Sequence, residues 1–246
     1  MALRRMRMLR QQPLNTAPLP LRITKRTSYF MVLSAKKILV ALSGGVDSAV
    51  AAGLLKEQGH DVTGVFLCLR RGDSDKAGGA RSCCSPKDAE DARIVAEALG
   101  IRRNVLSVSE RFDPIIDEFV AEYARGRTPN PCVHCNTHVK FGYLLQMAEV
   151  GGFDYLATGH YARIGEYQGR PAVARARNIK KDQSYVLMGL PGNQLGRIMF
   201  PLGELESKAE VREHAKRFGL PVHDKPDSQE VCFVPEGGYM ELLRER

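Results

Sequence analysis

No apolar run in this 246-residue sequence approaches the roughly 18 residues of a membrane helix, so no membrane partner is expected. Internal repeats and low-complexity tracts are also missing, which argues against a solenoid or a disordered chain. With 43% hydrophobic and 26% charged residues, the composition is that of a soluble globular protein. Acidic residues are lacking altogether from positions 1–35, which hold Arg4, Arg5, Arg7, Arg10, Arg22, Lys25 and Arg26. The formal charge of +8 is therefore concentrated there: taking those seven from 36 bases leaves 29 against 28 acids. A nucleic-acid contact must then come from local patches rather than from overall charge. Residues 1–35 read as a basic leader, disordered or upstream of the folded start near Met31. An Arg-rich, acid-free leader also fits a mitochondrial transit peptide; otherwise the chain reads as cytoplasmic. Cysteine is sparse, at six residues, and no secretory signal accompanies it. A reducing compartment follows, with cysteines that bind metal, react or are buried.

The remainder alternates short apolar runs with amphipathic stretches. Lys36–Leu42 reads as a buried strand, Ala49–Gln58 as a helix stopped at Gly59, and Val62–Leu69 as the next strand. That βαβ unit implies a parallel sheet. Ser85 and Pro86 suit a helix start, Asn104–Val108 a strand, and Asp113-Pro114 another helix start. His138–Glu149 reads as a helix and Tyr155–Thr158 as a short strand. Arg163–Lys181 reads as an irregular basic hairpin, suited either to phosphate contacts or to solvent. Ser207-Lys-Ala-Glu210 fits a capping box for a helix to Phe218, and Val231–Val234 reads as a strand. Glu241–Arg246 looks like a helix cut short. The expected fold class is α/β, a doubly wound parallel sheet. Positions 36–205 would form the nucleotide-binding catalytic domain, and 206–246 the start of a small second domain.

Ser43-Gly-Gly-Val-Asp-Ser48 sits between the first strand and its helix. A glycine pair there lets backbone approach a ligand, and the helix start offers N–H groups and partial positive charge to phosphate. Asp47 would repel phosphate, so Mg²⁺ is its expected partner. The loop lacks the Gly-Lys-Ser/Thr of a Walker A motif and does not match the dinucleotide fingerprint.

Cys132 and Cys135 form a C-x2-C pair in Thr128-Pro-Asn-Pro-Cys-Val-His-Cys-Asn136. Two prolines suggest an extended segment just before a helix start, a position that favours thiolate. Cys232 lies far off in the chain. The thiols suit three chemistries: persulfide transfer, an iron–sulfur cluster on Cys132, Cys135 and Cys232, or a zinc site on Cys132 and Cys135 with His134 or His138. Cys68 reads as buried in a strand, and Cys83-Cys84 as loop residues without a role.

The SGGVDS loop resembles that of the ATP pyrophosphatases, the PP-loop superfamily with an adenine nucleotide alpha-hydrolase-like fold. Those enzymes adenylate a substrate and release pyrophosphate. TPNPC-VHCN with HVKFG, then ATGHYAR, KDQSY, FPLGEL and DSQEVCF, resemble the tRNA-specific 2-thiouridylase family from about Lys36 onward. That resemblance implies ATP with Mg²⁺, tRNA and a sulfur-donor protein as partners. It implies an ATP site at Ala41, Leu42, Ser43, Gly44, Gly45, Val46, Asp47 and Ser48, with Leu67 and Gly159. It makes Cys135 the nucleophile and Cys232 the persulfide carrier, ending as a disulfide. Asn130, Pro131 and Cys132 would meet the target base, and His160, Lys181, Asp182 and Gln183 the tRNA. Many members carry Asp at the position of Cys132, which keeps the cluster reading open. The family continues into β-barrel domains beyond Arg246.

Overall fold

The computed structural model describes residues 34–69, 86–227, 231–234 and 238–245. Cys83, Cys84, the Ser85 cap and nearly all of the basic leader lie outside them. The architecture is a five-stranded parallel sheet in the order β3-β2-β1-β4-β7, with a separate two-stranded hairpin. Its strands are β1 (Lys37–Leu42), β2 (Asp61–Cys68), β3 (Arg102–Ser107), β4 (Tyr155–Ala157) and β7 (Ile198–Met199). β1 pairs with β2 on one side and β4 on the other, so the strand order reverses beside β1. In a doubly wound sheet that reversal opens a crevice at the carboxyl ends of the strands. The doubly wound parallel sheet is as the alternating pattern implies.

Alternation along β1 accounts for the two covered faces. Ile38, Val40 and Leu42 join a cluster with α1 (Val46–Glu57), α2 (Pro86–Ala98) and α6 (Lys208–Arg217). Leu39 points the other way, towards Phe141, Leu144, Leu145 and Phe200. Below β2 and β3 a third cluster joins Val108, Phe112 and Ile115 to Val139; the first three lie at or within α3 (Ser109–Ala124). Among the described residues, no helix is long and apolar enough to cross a membrane.

Five local expectations change. The C-x2-C segment is helical: α4 (Pro131–His134) runs into a π-helical stretch (Cys135–Leu144) and then α5 (Leu145–Val150). Pro131 occupies the first turn, where a missing N–H costs nothing, so it starts the helix rather than holding the chain extended. The third helix starts at Ser109 and carries Pro114 inside it. Val231–Val234 is a turn closed by the Val234 N–H donating to the Val231 carbonyl, not a strand. The edge strand β7 has two residues, too few for an alternation pattern to reveal. Cys68 ends β2 half-buried rather than buried. The basic hairpin is regular: β5 (Ala162–Tyr167) pairs antiparallel with β6 (Arg170–Arg175). The capping box forms with a shifted return bond, Ser207 Oγ accepting from Glu210 N at 3.1 Å and the Glu210 carboxylate from Glu206 N at 2.7 Å.

Candidate active site

The glycine turn leaves β1 where the sheet order reverses. Gly44 adopts φ +74°, and a Cβ there would fall 2.3 Å from the Asp88 carbonyl oxygen, so only glycine fits. Ser48 Oγ lies 3.1 Å from Ser43 N, Ser43 Oγ and the Gly45 carbonyl, which closes the loop on itself. Gly45 caps α1 without a side-chain hydrogen bond, leaving the first-turn N–H groups for a ligand. From the neighbouring strand end, Gly159 comes so close that a Cβ would lie 2.6 Å from Ser48 N.

Ser43, Ser48 and Gly159 help to line a cavity of about 320 Å³. Ala41, Leu42, Ser43, Asp47, Ser48, Leu67 and Gly159 line it together with Pro131, Cys132, Cys135, His160, Gln183 and Cys232. The structure thus brings Cys135 and Cys232 to the cavity that Ser43, Asp47 and Ser48 of the glycine turn also line, while Gly44, Gly45 and Val46 of that turn do not line it. Both cysteines pack against the same apolar cluster as Phe112, Ile115 and Val139. Phe233 fixes the second one, its ring standing edge-on to Phe112 at 5.7 Å and to Phe119 at 5.1 Å. Cys132 is exposed, while Cys135 and Cys232 are half-buried.

Other expected site residues have different surroundings. Val46 is buried in the core, at 3% exposure, and Gly44 faces α2. Asn130 precedes α4, its carbonyl accepting from Val133 N. Asp182 accepts from Ala176 N at 2.8 Å and from Ser184 Oγ at 2.7 Å, which folds the turn after the hairpin. Gln183 both lines the cavity and accepts from Tyr161 N. Lys181 pairs with Asp227 at 2.8 Å. The His160 ring lies between Phe141 and Phe200, with Nδ1 2.7 Å from Thr158 Oγ1. Burial first, and Lys140 second, holds its pKa well below the usual histidine range, so the ring is neutral.

Asp47 was expected to hold Mg²⁺. Its carboxylate instead accepts from Lys208 Nζ at 2.8 Å on both oxygens, and from the Tyr161 hydroxyl at 2.7 Å. Burial, then Asp47, pushes the Tyr161 phenol far up, so it remains a donor. Lys208 also meets Asp227 at 2.5 Å. Burial works to raise the Asp227 pKa, but Lys181 and Lys208 outweigh it and the net shift is down. Among the described residues, no three His, Cys, Asp or Glu side chains converge as metal ligands. Cys132, Cys135 and Cys232 line the same cavity without being grouped as a ligand set, and His134 faces Glu118 at 3.2 Å.

Sequence reasoning missed Lys208, Lys140, Tyr161 and Lys225. Only folding brings Lys208 to Asp47, although its place just after the Ser207 cap marks the helix start that carries it. The basic hairpin is also less positive than its sequence. Arg177 pairs with Glu204 at 2.6 Å and Glu206 at 3.5 Å, Arg163 approaches Glu204 at 3.8 Å, and Lys181 has Asp227.

A reversed parallel sheet with a glycine turn at its switch point defines an α/β domain of the PP-loop type. A solved 4-thiouridine synthetase–RNA complex with bound ATP shares the fold, with a TM-score of 0.51 and 16% identity over 85% of this chain and 50% of that one. The tRNA methyl transferase HUP domain family matches residues 36–236, and the chain belongs to that family. It is 51% identical over 213 residues to the tRNA-specific 2-thiouridylase MnmA of Leptospira biflexa, covering 86% of this chain and 56% of that protein. It is 50% identical over 211 residues to the protein of the same name from Mycobacterium ulcerans, covering 85% and 57%. The chain thus spans little more than half the length of these relatives.

Proposed function

We propose that this chain carries the adenylating and sulfur-transferring site of a tRNA 2-thiouridylase. The observation that supports it best is the shared cavity, lined both by Ser43, Asp47 and Ser48 of the phosphate-type turn and by Cys135 and Cys232. Similarity to the named thiouridylases agrees with that chemistry.

ATP enters as its magnesium complex, its phosphates against the α1 N-terminus and its base towards Leu67 and Gly159. A uridine, unstacked from the tRNA anticodon, enters beside Pro131, Cys132 and Cys135. Uridine O2 attacks the α-phosphate, and pyrophosphate leaves. A sulfur-donor protein has already loaded Cys232 as a persulfide. The terminal sulfur attacks C2. Cys135 then attacks the Cys232 Sγ, the S–S bond breaks, and the sulfur stays on C2 as AMP departs. Two thiol electrons reduce the transferred sulfur, leaving a Cys135–Cys232 disulfide that an external thiol resets. Burial of the site among Phe112, Val139 and Phe233 limits water attack on the adenylate. Asp47 already has Lys208 and Tyr161, so no step is assigned to the metal.

The test incubates the chain with tRNA transcript, ATP and a persulfide donor, and measures 2-thiouridine by nucleoside mass spectrometry. Cys135→Ser and Cys232→Ser are each expected to lose product by roughly 10³-fold or more, with ATP affinity and melting temperature unchanged. Full turnover in both variants would reject sulfur transfer through these thiols and favour an amide-forming or other adenylating reaction.

A further inference from the structure

Residues 218–227, which follow α6, run against the glycine loop as a strap. Three sets of contacts pin it. Arg212 donates to the His223 carbonyl at 2.6 Å and to the Lys225 carbonyl at 3.0 Å. Asp227 meets Lys181 and Lys208. Between them, Lys225 Nζ donates to the Gly44 carbonyl at 3.0 Å, to Asp88 at 2.6 Å and to Asp91 at 2.5 Å. All three charged side chains are shielded, at 24%, 14% and 19% exposure.

A peptide unit is planar and trans, so its C=O and N–H point in opposite directions. Anchoring the Gly44 carbonyl therefore fixes where the Gly45 N–H points. That N–H faces Ser43 Oγ at 3.4 Å, and Ser43 lines the cavity. Gly44 has no side chain to hold its own conformation, and its φ of +74° is one of several open to glycine. A charge-assisted bond from a shielded ammonium supplies the missing restraint. The same residue lies seven positions before Cys232, so one side chain ties the phosphate loop to the segment that brings the second thiol.

We infer that Lys225 is a positioning residue of the nucleotide site: it sets the Gly44–Gly45 peptide for phosphate and couples loop occupancy to the Cys232-bearing strap. The inference rests on the reading of the glycine turn as an ATP site. Lys225 touches no reacting atom; it acts through the loop backbone.

The test compares ATP and adenosine binding by calorimetry for the intact chain and its Lys225→Met and Lys225→Arg variants. Lys225→Met is expected to weaken ATP roughly tenfold while leaving adenosine within about twofold, because only the phosphates feel the loop peptide. Lys225→Arg keeps the charge and recovers part of the ATP affinity. A purely structural lysine would lower the melting temperature without changing the ATP-to-adenosine ratio. A wild-type chain that binds no ATP sinks the nucleotide reading and this inference together. Wild-type binding with an unchanged ratio in Lys225→Met overturns the inference alone. Hydrogen exchange on the wild-type chain covers the case in which the variant does not fold. ATP should slow exchange in residues 220–227 by roughly tenfold, although none of them lines the cavity. An unchanged strap would overturn the coupling.

Discussion

The two sets of residues that line the cavity, a phosphate end of loop residues and a sulfur end of cysteines, are held by different physics. At the phosphate end, backbone and charge do the fixing: Ser48 closes the loop, Lys208 and Tyr161 hold Asp47, and Lys225 holds Gly44. At the sulfur end the described contacts of the Cys232 turn are mainly apolar, with Phe233 set between Phe112 and Phe119. Charge-assisted and backbone bonds are directional, whereas ring packing tolerates displacement. The difference fits the work proposed for each end. A triphosphate needs donors aimed in advance, and a persulfide carrier must reach a donor protein, then a base, then a second thiol.

The sharpest way to break that comparison is to add one carbon at the phosphate end. Gly159→Ala puts a Cβ 2.6 Å from Ser48 N and 2.9 Å from Ser48 Cα, both backbone atoms that cannot swing aside. The first turn of α1 must shift. The expected result is a loss of ATP affinity of about 100-fold or more, with a stability cost of about 1–3 kcal/mol. Calorimetric titration with ATP checks the first and thermal melting the second. Unchanged ATP affinity would mean that the α1 N-terminus is not a preset phosphate site.

A smaller change is expected from loosening the sulfur end. Phe233→Ala removes both edge-on ring contacts, at roughly 0.5–1.5 kcal/mol each beyond simple burial. Alkylation of Cys232, followed peptide by peptide with mass spectrometry, should accelerate several-fold, and ATP affinity should stay within about twofold. If ATP binding fell as much as Cys232 became exposed, the two ends would be one rigid unit and the contrast would fail.

What the sequence made legible follows the same division. Local signals carried the phosphate end: an apolar run, two glycines and a helix start need no distant partner to be recognised. The β-α alternation likewise made the parallel sheet readable, because periodicity and chain order report it directly. The C-x2-C pair was placed too literally. Proline disfavours helix before it, but at the first turn it starts one, and Pro131 is such a residue. The partners of Asp47 were hidden, since Lys208 arrives from 161 positions away and charge alone suggested a cation of another kind. The basic hairpin misled for a related reason. Glu204, Glu206 and Asp227 lie outside it in sequence and beside it in space.

The smallest predicted effect concerns the wall that the two ends share. His160 lines the same cavity as Ser43, Ser48 and the cysteines, packed against Phe141 and Phe200. Burial, then the nearby Lys140, depresses its pKa in the folded chain, whereas the unfolded chain titrates near about 6.5. Between those two values the unfolded state holds more protons. Stability from His160 is therefore fully present above about pH 6.5 and is lost progressively as pH falls towards the depressed folded value. His60 is depressed as well, by burial and then Lys36, and adds to the same slope. The melting temperature should fall between pH 7 and pH 5, and His160→Gln should flatten part of that fall while His60 maintains the rest. Near pH 7 the ATP affinity of this variant should stay close to wild type, because His160 neither donates to the loop nor pairs with Asp47. An undiminished pH slope in His160→Gln would show that the neutral ring is not what holds this wall together. A large loss of ATP affinity would extend the charged, prearranged end of the cavity past Gly159 and redraw the boundary between the two halves.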